Sequence, residues 1–262
     1  EVVERDTFPP QAVIDVLSGG GEWPTLPRLE GIVTTPVLTA GGLWVTEPGY
    51  DATSGLYLVP GGPCLGDTEP TAERVAWAKT LILTELLGDF PFVDRASRAH
   101  AVALLLVGFV RHAINGATPL HLVDAPTPGT GKGLLVTACC LPAAGGEVSS
   151  MHAGRDDDEW RKRLTAVLSE GATHVNLDNL TGTLDSAAFA AALTQSNWGD
   201  SVLGSSTTVR VKVRAVWTAT ANNVRLSDEI RRRCTWIRID ANAERPEERT
   251  GFRHDDLIGW AR

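Results

Sequence analysis

The chain has four cysteines, Cys64, Cys139, Cys140 and Cys234, and none of them stands at C-x-x-C spacing. Adjacent Cys139 and Cys140 are badly placed to bridge each other. Neither a disulfide framework nor a zinc site is expected, and a reduced, cytoplasmic setting fits best. Long apolar runs are missing too. The longest, Ala101 to Val110, is too short to span a bilayer and runs into Arg111 and His112, so no membrane partner is expected. No signal peptide is visible. Positive charge is not in excess: a formal net charge of −8 argues against a protein that coats nucleic acid nonspecifically, while leaving room for a narrow basic strip. There is no initiator Met, and Asp255-Asp256-Leu-Ile-Gly-Trp260 opens a helix just before the end. The sequence therefore reads as a piece of a longer protein.

What is present is ordinary for a globular protein. The 262 residues, 43% hydrophobic and 21% charged, suffice for one large α/β domain, or a mid-sized one with a small module, whose core rests on apolar patterning. Residues 1–68 read as a small β-rich module, with runs at Ile32 to Leu38, Leu43 to Thr46 and Gly55 to Val59 separated by Gly41-Gly42 and Pro48-Gly49 turns and closed by Pro60-Gly-Gly-Pro63. No catalytic constellation falls there; its aspartates and single glycines suit turns. Residues 69–118 read as helical. Thr71 caps a helix carrying Val75, Leu81, Ile82, Leu86 and Leu87, and a second helix runs from near Asp94 to about Ile114. His100 and His112 on it suit packing or the surface better than metal ligation, since no acid or thiol stands at metal spacing.

From residue 119 to 262 the pattern is βαβ. Strands are expected at Leu120 to Val123, weakly near Val148, at His174 to Asp178, at Ala215 to Thr220 and at Thr235 to Ile239. Helices are expected from Leu134, over Asp157 to Leu168 and near Ala187 to Leu193. This predicts an α/β fold with an open, mainly parallel sheet flanked by helices.

Four motifs carry chemistry. The first, Pro126-Thr127-Pro128-Gly129-Thr130-Gly131-Lys132-Gly133-Leu134, lies between a buried strand and a helix. Gly129 and Gly131 let the backbone turn N–H groups inward on phosphate oxygens, and Lys132 adds a cation for the β and γ phosphates of ATP. Pro126 stands in place of the usual opening Gly. Gly133 replaces the Ser or Thr that ordinarily ligates Mg²⁺, which leaves direct metal coordination from the loop open. We expect Lys132 on an exposed loop. Next, Val175-Asn-Leu-Asp178-Asn179 is a strand ending in an acid, placed as a Walker B aspartate that holds Mg²⁺ through its water shell; taken alone, an Asp at a strand end is more often a turn residue, and the P-loop and crossover helix upstream favour the metal role. Asn179 takes the place of a water-orienting Glu, and an amide positions water without accepting its proton. Third, Val216-Trp-Thr-Ala-Thr220-Ala-Asn222-Asn223 suits a sensor of the γ-phosphate, Asn222 fitting better than Asn223, against a plain Asn-rich turn. Fourth, Ser227-Asp-Glu-Ile-Arg231-Arg232-Arg233-Cys234 offers Arg232 or Arg233 as a finger into a neighbour's nucleotide. Its alternative is compensation of a helix dipole.

Taken in order, P-T-P-G-T-G-K, N-L-D-N, T-A-N-N and D-E-I-R-R-R-C…I-R-I-D resemble the AAA+-type replicative helicases of phages, plasmids and integrated elements, including superfamily 3 and primase-linked forms. The resemblance covers roughly residues 70–262. It implies an AAA+ ATPase core cut before its lid, a hexameric ring of this chain with ATP and Mg²⁺ between subunits, single-stranded or forked DNA in the channel, and a linked primase domain in some members. Residues 1–68 are similar to the segment preceding the ATPase in such proteins. In similar ring helicases a hairpin between the Walker B and sensor strands projects into the channel. Thr208-Val-Arg210-Val-Lys212-Val-Arg214 lies there, and its alternation puts Arg210, Lys212 and Arg214 on one face. A solvated basic face explains the pattern equally well. Arg161-Lys162-Arg163 suits a solvated face or a subunit contact. Two other functions compete: a nucleotide-gated scaffold that hydrolyses ATP poorly, favoured by Gly133 and Asn179, and a nucleotide kinase, favoured only by G-K-G.

Overall fold

A computed structural model describes residues 9–19, 26–61, 69–146, 148–201 and 208–262. After helix α1 (Gln11–Gly19) come five short strands, β1 (Gly31–Val33), β2 (Val37–Leu38), β3 (Trp44–Val45), β4 (Gly49–Asp51) and β5 (Leu56–Leu58). They form a three-stranded sheet ordered β1-β5-β4 and a β2-β3 pair around a small core of Val33, Val37, Val45, Leu56 and Leu58. The apolar run from Ile32 to Leu38 is therefore not one strand. Pro36 cannot donate to a ladder, and the preceding hydroxyls turn elsewhere: Thr34 Oγ1 donates to the Ala144 carbonyl (2.6 Å) and Thr35 Oγ1 to that of Ala143 (2.8 Å). The module thus caps the carboxyl end of a helix of the main body. Gly49 opens β4 instead of sitting in a turn, and the expected boundary near residues 62–68 lies outside the described residues.

Helix α2 (Ala72–Thr80) starts where Thr71 accepts the Arg74 N–H, and it continues as a π-helical stretch over Leu81–Leu86. Asp94 caps α3 (Arg95–Val110) by accepting the Ser97 N–H. His112 falls beyond that helix, while His100 Nδ1 pairs with the Trp236 carbonyl at 2.7 Å, a packing role.

The main body follows as β6 (Leu120–Asp124), α4 (Lys132–Ala144), β7 (Ser149–Met151), α5 (Asp157–Ser169), β8 (His174–Leu180), β9 (Thr183–Leu184), α6 (Ala187–Ala192), β10 (Asn197–Ser201), β11 (Thr208–Lys212), β12 (Val216–Ala221), β13 (Arg225–Leu226), α7 (Asp228–Arg231), β14 (Cys234–Arg238) and α8 (Leu257–Ala261). Five strands make one parallel sheet ordered β14-β6-β12-β8-β7. Every residue of β6 and β12 is buried, as expected of parallel strands covered on both faces. One face packs on α5 and α6, where Phe189 stacks on Trp160 (centroids 5.0 Å apart) and meets Trp217 edge-on (5.5 Å). The other packs on α3 and α4 through Leu104, Leu135, Cys139, Val216 and Ile237. This is the α/β architecture of a P-loop NTPase. Among the described residues, no helix is long and apolar enough to cross a membrane.

Helices α3 and α4 pack tightly at Gly108, where an added Cβ would lie 2.4 Å from Ala143 Cβ and 2.8 Å from His174 Nε2. Alanine within a helix ordinarily gains about 0.5–1 kcal/mol over glycine, but overpacking a buried contact costs about 1–3 kcal/mol. Gly108→Ala should therefore lower the midpoint of urea unfolding; a raised midpoint would contradict this helix pairing.

Candidate functional site

Ligands of open parallel sheets bind beyond the carboxyl ends of the strands, and three of the expected motifs meet there. After β6 the chain turns through Gly129 and Gly131, both with φ in the left-handed region (74° and 97°). Thr130 Oγ1 donates to the Thr127 carbonyl at 2.8 Å and draws the loop into a cradle. Gly131 caps α4 without a side chain, so the first N–H groups of the helix open toward the loop. Lys132 is not on an exposed loop as expected. It is the first residue of α4, 9% exposed, and its Nζ donates to Asn222 Oδ1 at 2.7 Å. Burial lowers the pKa of this ammonium, while Asp124 and Asp178 pull it up. Pro126 accepts from Asn223 Nδ2 (3.3 Å), and Asn223 N–H donates to Asp124 Oδ1 (2.8 Å), so Asn223 braces the loop while Asn222 faces Lys132.

Asp178 and Asn179 sit on the adjoining strand. Pairing of β8 with β12 shifts register here, with Leu177 opposite Ala219 but Leu180 opposite Ala221. Thr220 sits alone against both bulged residues. Its hydroxyl donates to Asp178 Oδ1 (2.7 Å) and accepts the Asn179 N–H (2.8 Å). Asn179 has φ 52°, a conformation that Asn tolerates better than most residues. Among the described residues no three His, Cys, Asp or Glu side chains gather into a metal cage. A single carboxylate with one oxygen fixed by Thr220 suits Mg²⁺, which keeps most of its water and takes only one or two protein carboxylates beside phosphate.

Two residues at this site were not singled out from sequence. Thr220, two residues before Asn222, aims the Asp178 carboxylate. Asp124 ends β6 beneath the loop, and burial raises its pKa. The strand-terminal position of Asp124 was a usable signal; the bulge that recruits Thr220 was not.

A cavity of about 320 Å³ adjoins the loop, lined by Leu86, Phe90, Gly129, Leu134, Phe252 and Ile258 among others. Its far wall is a strap after β14, tied back by Arg249 to the Asp89 carbonyl (2.8 Å) and by the Arg253–Asp89 ion pair. The strap brings the Glu247 carboxylate to 2.8 Å from where a Cβ on Gly129 would stand.

The expected arginine finger and the base of the basic hairpin lie at the opposite end of the sheet. The Arg233 carbonyl accepts the Leu120 N–H at the amino end of β6, so Arg232 and Arg233 are a strand length, roughly 17 Å, from the loop of their own chain. Arg233 is held by Thr194 Oγ1 (2.6 Å) and by Glu229. Arg232 donates Nε to the Asp228 carbonyl (3.2 Å) and makes no ion pair among the described residues. Strands β10 and β11 form an antiparallel hairpin whose tip, 202–207, lies outside the described residues. Its alternation turns Val211 and Val213 to the core and leaves Arg210 and Lys212 exposed. Arg214 donates to the Ile114 carbonyl (3.2 Å), and Lys212 pairs with Glu30. Arg161 and Arg163 are engaged within the chain, by Asp200 and by Glu159.

No family model matches the chain, and the sequence matches no curated protein. Solved structures it resembles include the JCV helicase, at 14% identity and a TM-score of 0.37 over 67% of this chain and 46% of that one. The same helicase bound to a thiazolopyridinyl-phenoxyphenyl acetamide gives 12% identity and 0.37, over 67% and 47%. The chain thus spans less than half the length of these helicase chains.

The Cβ position of Gly133 meets no atom within 4 Å, so a larger side chain fits there. Gly133→Thr should tighten Mg²⁺-dependent ATP binding by about 1 kcal/mol, roughly fivefold, through the added hydroxyl ligand. Calorimetric titration with and without Mg²⁺ checks this; a gain that persists without metal would contradict it.

Proposed function

We propose that this chain is the ATPase core of a superfamily 3-like AAA+ helicase that remodels DNA in the replication of phages or mobile elements. The observation that supports it most is the convergence of Lys132, Asn222 and Asp178 on adjacent strand ends, with Lys132 already bonded to Asn222. In this reading the loop from Pro126 to Leu134 and the N-terminus of α4 take the phosphates, with Gly129, Thr130 and Gly131 supplying backbone N–H groups. Lys132 moves from Asn222 to the β and γ oxygens, and Asn222, released, turns its amide to the γ-phosphate or its water. Asp178, aimed by Thr220, holds the water shell of Mg²⁺. That ion, when bound, neutralises phosphate charge. Asn179 orients the attacking water without deprotonating it. Arg232 and Arg233 cannot reach their own loop across the length of β6 and β14, which suits arginines that complete a neighbouring subunit's site in a ring; Arg232, with no carboxylate partner among the described residues, suits the role better. Arg210, Lys212 and Arg214 then face single-stranded DNA.

A nucleotide-gated scaffold is the second reading, favoured by Gly133 and by Asn179. The left-handed backbone at Asn179 disfavours Glu there by about 1–2 kcal/mol, so the missing base is built into the bulge. Asn179→Glu should nevertheless raise turnover if water activation limits the enzyme.

Steady-state ATPase assays with and without single-stranded DNA separate the readings: a helicase is stimulated and a scaffold stays near background. Lys132→Ala should weaken ATP binding roughly 10- to 100-fold, the loss of a charge-assisted contact, without unfolding the chain. Arg232→Ala should bind ATP normally yet lose turnover. ATP affinity unchanged in Lys132→Ala would remove the basis of the proposal.

A further inference from the structure

Away from the nucleotide loop, two adjoining cavities separate the β1–β5 module from the β10–β11 hairpin, and both are lined by Glu30, His112, Lys212 and Arg214. The larger, about 460 Å³, adds Arg28, Arg210 and Glu170. Four cations therefore face two carboxylates, on a chain whose net charge is −8. His112 does not change that balance, since burial, with Arg214 and Arg111 beside it, pushes its pKa down to about 4. Beneath the cleft, Arg111 is buried and, among the described residues, has no carboxylate partner; its guanidinium rests on the carbonyls of Ile114, Gly116 and Val213, and its Nε finds no partner among those residues. A buried, unneutralised cation under a cationic cleft disposes the site to an anion. The internal anion is Glu30, paired with Lys212 and with Arg28 (3.1 Å). Both partners are part-exposed, at 40% and 26% for Lys212 and Glu30, and such pairs are weak enough to be exchanged.

We propose that this cleft seats a phosphodiester of single-stranded DNA, and that Glu30 is an internal stand-in for it, holding Lys212 until DNA displaces the carboxylate. The inference rests on the DNA-facing reading of the hairpin. It adds that the N-terminal module competes with DNA for the hairpin, so DNA entry loosens the contact between Glu30 and β11. The exchange is an ion-pair swap, with no bond made or broken.

The test is fluorescence anisotropy of a labelled oligothymidylate on the full chain across a range of salt concentrations. Freed from competition, Glu30→Gln should bind about two- to fivefold more tightly. Its log–log salt slope should steepen by about 0.7, one further phosphate contact. Lys212→Gln should weaken binding, and adding Glu30→Gln to it should change nothing more. Glu170→Gln removes the cleft's other carboxylate without touching Lys212 and should leave affinity near that of the parent. Equal tightening by Glu30→Gln and Glu170→Gln would reduce the effect to net charge and overturn the proposal. Weaker binding by Glu30→Gln together with a lowered melting temperature would make the pair purely structural, again overturning it. If Lys212→Gln weakens binding while Glu30→Gln is silent, the competition fails and the DNA-facing hairpin stands. If no variant alters affinity, both fall.

Discussion

The placement of β12 between β6 and β8 is the constraint on which the site depends. A strand inserted between the P-loop strand and the acidic strand brings three chain segments, 46 and 44 residues apart from Lys132 to Asp178 and from Asp178 to Asn222, to one edge of the sheet. The parallel arrangement is what allows this, because every carboxyl end then faces the same way. Burial on both faces holds it: with β6 and β12 wholly inside, a slip of one residue would turn Leu122 or Trp217 out of its own layer and into the other. The positions of Lys132, Asn222 and Asp178 thus follow from packing around Phe189 on one side and Leu135 on the other, far more than from any contact among themselves.

Within that frame the site is electrostatically poised. Burial works against the Lys132 ammonium, and Asp124 and Asp178 sustain it. Asn222 occupies it with a neutral oxygen, which leaves the ammonium charge to be neutralised by an anion. Thr220 performs the complementary task on the acid. Held by the Asn179 N–H, its hydroxyl can only point its proton at Asp178, which leaves the second carboxylate oxygen for water or metal.

Much of the frame was legible because it rests on local chemistry. Thr71 caps a helix and a second helix starts at Asp94, as expected, and the buried runs at Leu120 and Val216 are strands within a residue of their expected limits. Glycines 129 and 131 adopt the left-handed backbone that their loop demands. What could not be read depends on contacts between distant segments. The burial of Lys132 follows from β12 lying beside β6, and the role of Thr220 from a bulge in β8 that no residue type announces. Thr34 and Thr35 looked like strand residues, yet their hydroxyls serve carbonyls more than a hundred positions away. Glu30, in a module where no catalytic constellation is expected from sequence, finds Lys212 only through the fold.

The same topology sets a route between the two ends of the sheet. Strand β12 begins four residues after the hairpin and ends one residue before Asn222, so the basic face and the amide that holds Lys132 stand at opposite ends of one rigid, fully buried element about 20 Å long. At its entry, Arg111 grips the Val213 carbonyl at 2.8 Å and Arg214 grips that of Ile114, tying the hairpin base to the end of α3. A load on Lys212 therefore has two paths, into α3 and along β12. Packed strands resist stretching and side chains in a close-packed layer shift together, so a displacement of the hairpin base would meet the whole of β12, held between β6 and β8, before it reached Asn222. The register shift beside Ala219 and Ala221 is the one place where β12 is not ladder-bound to β8. It lies beside Asp178, where the Thr220 hydroxyl, bonded to both Asp178 and the Asn179 N–H, takes the place of the missing ladder contact.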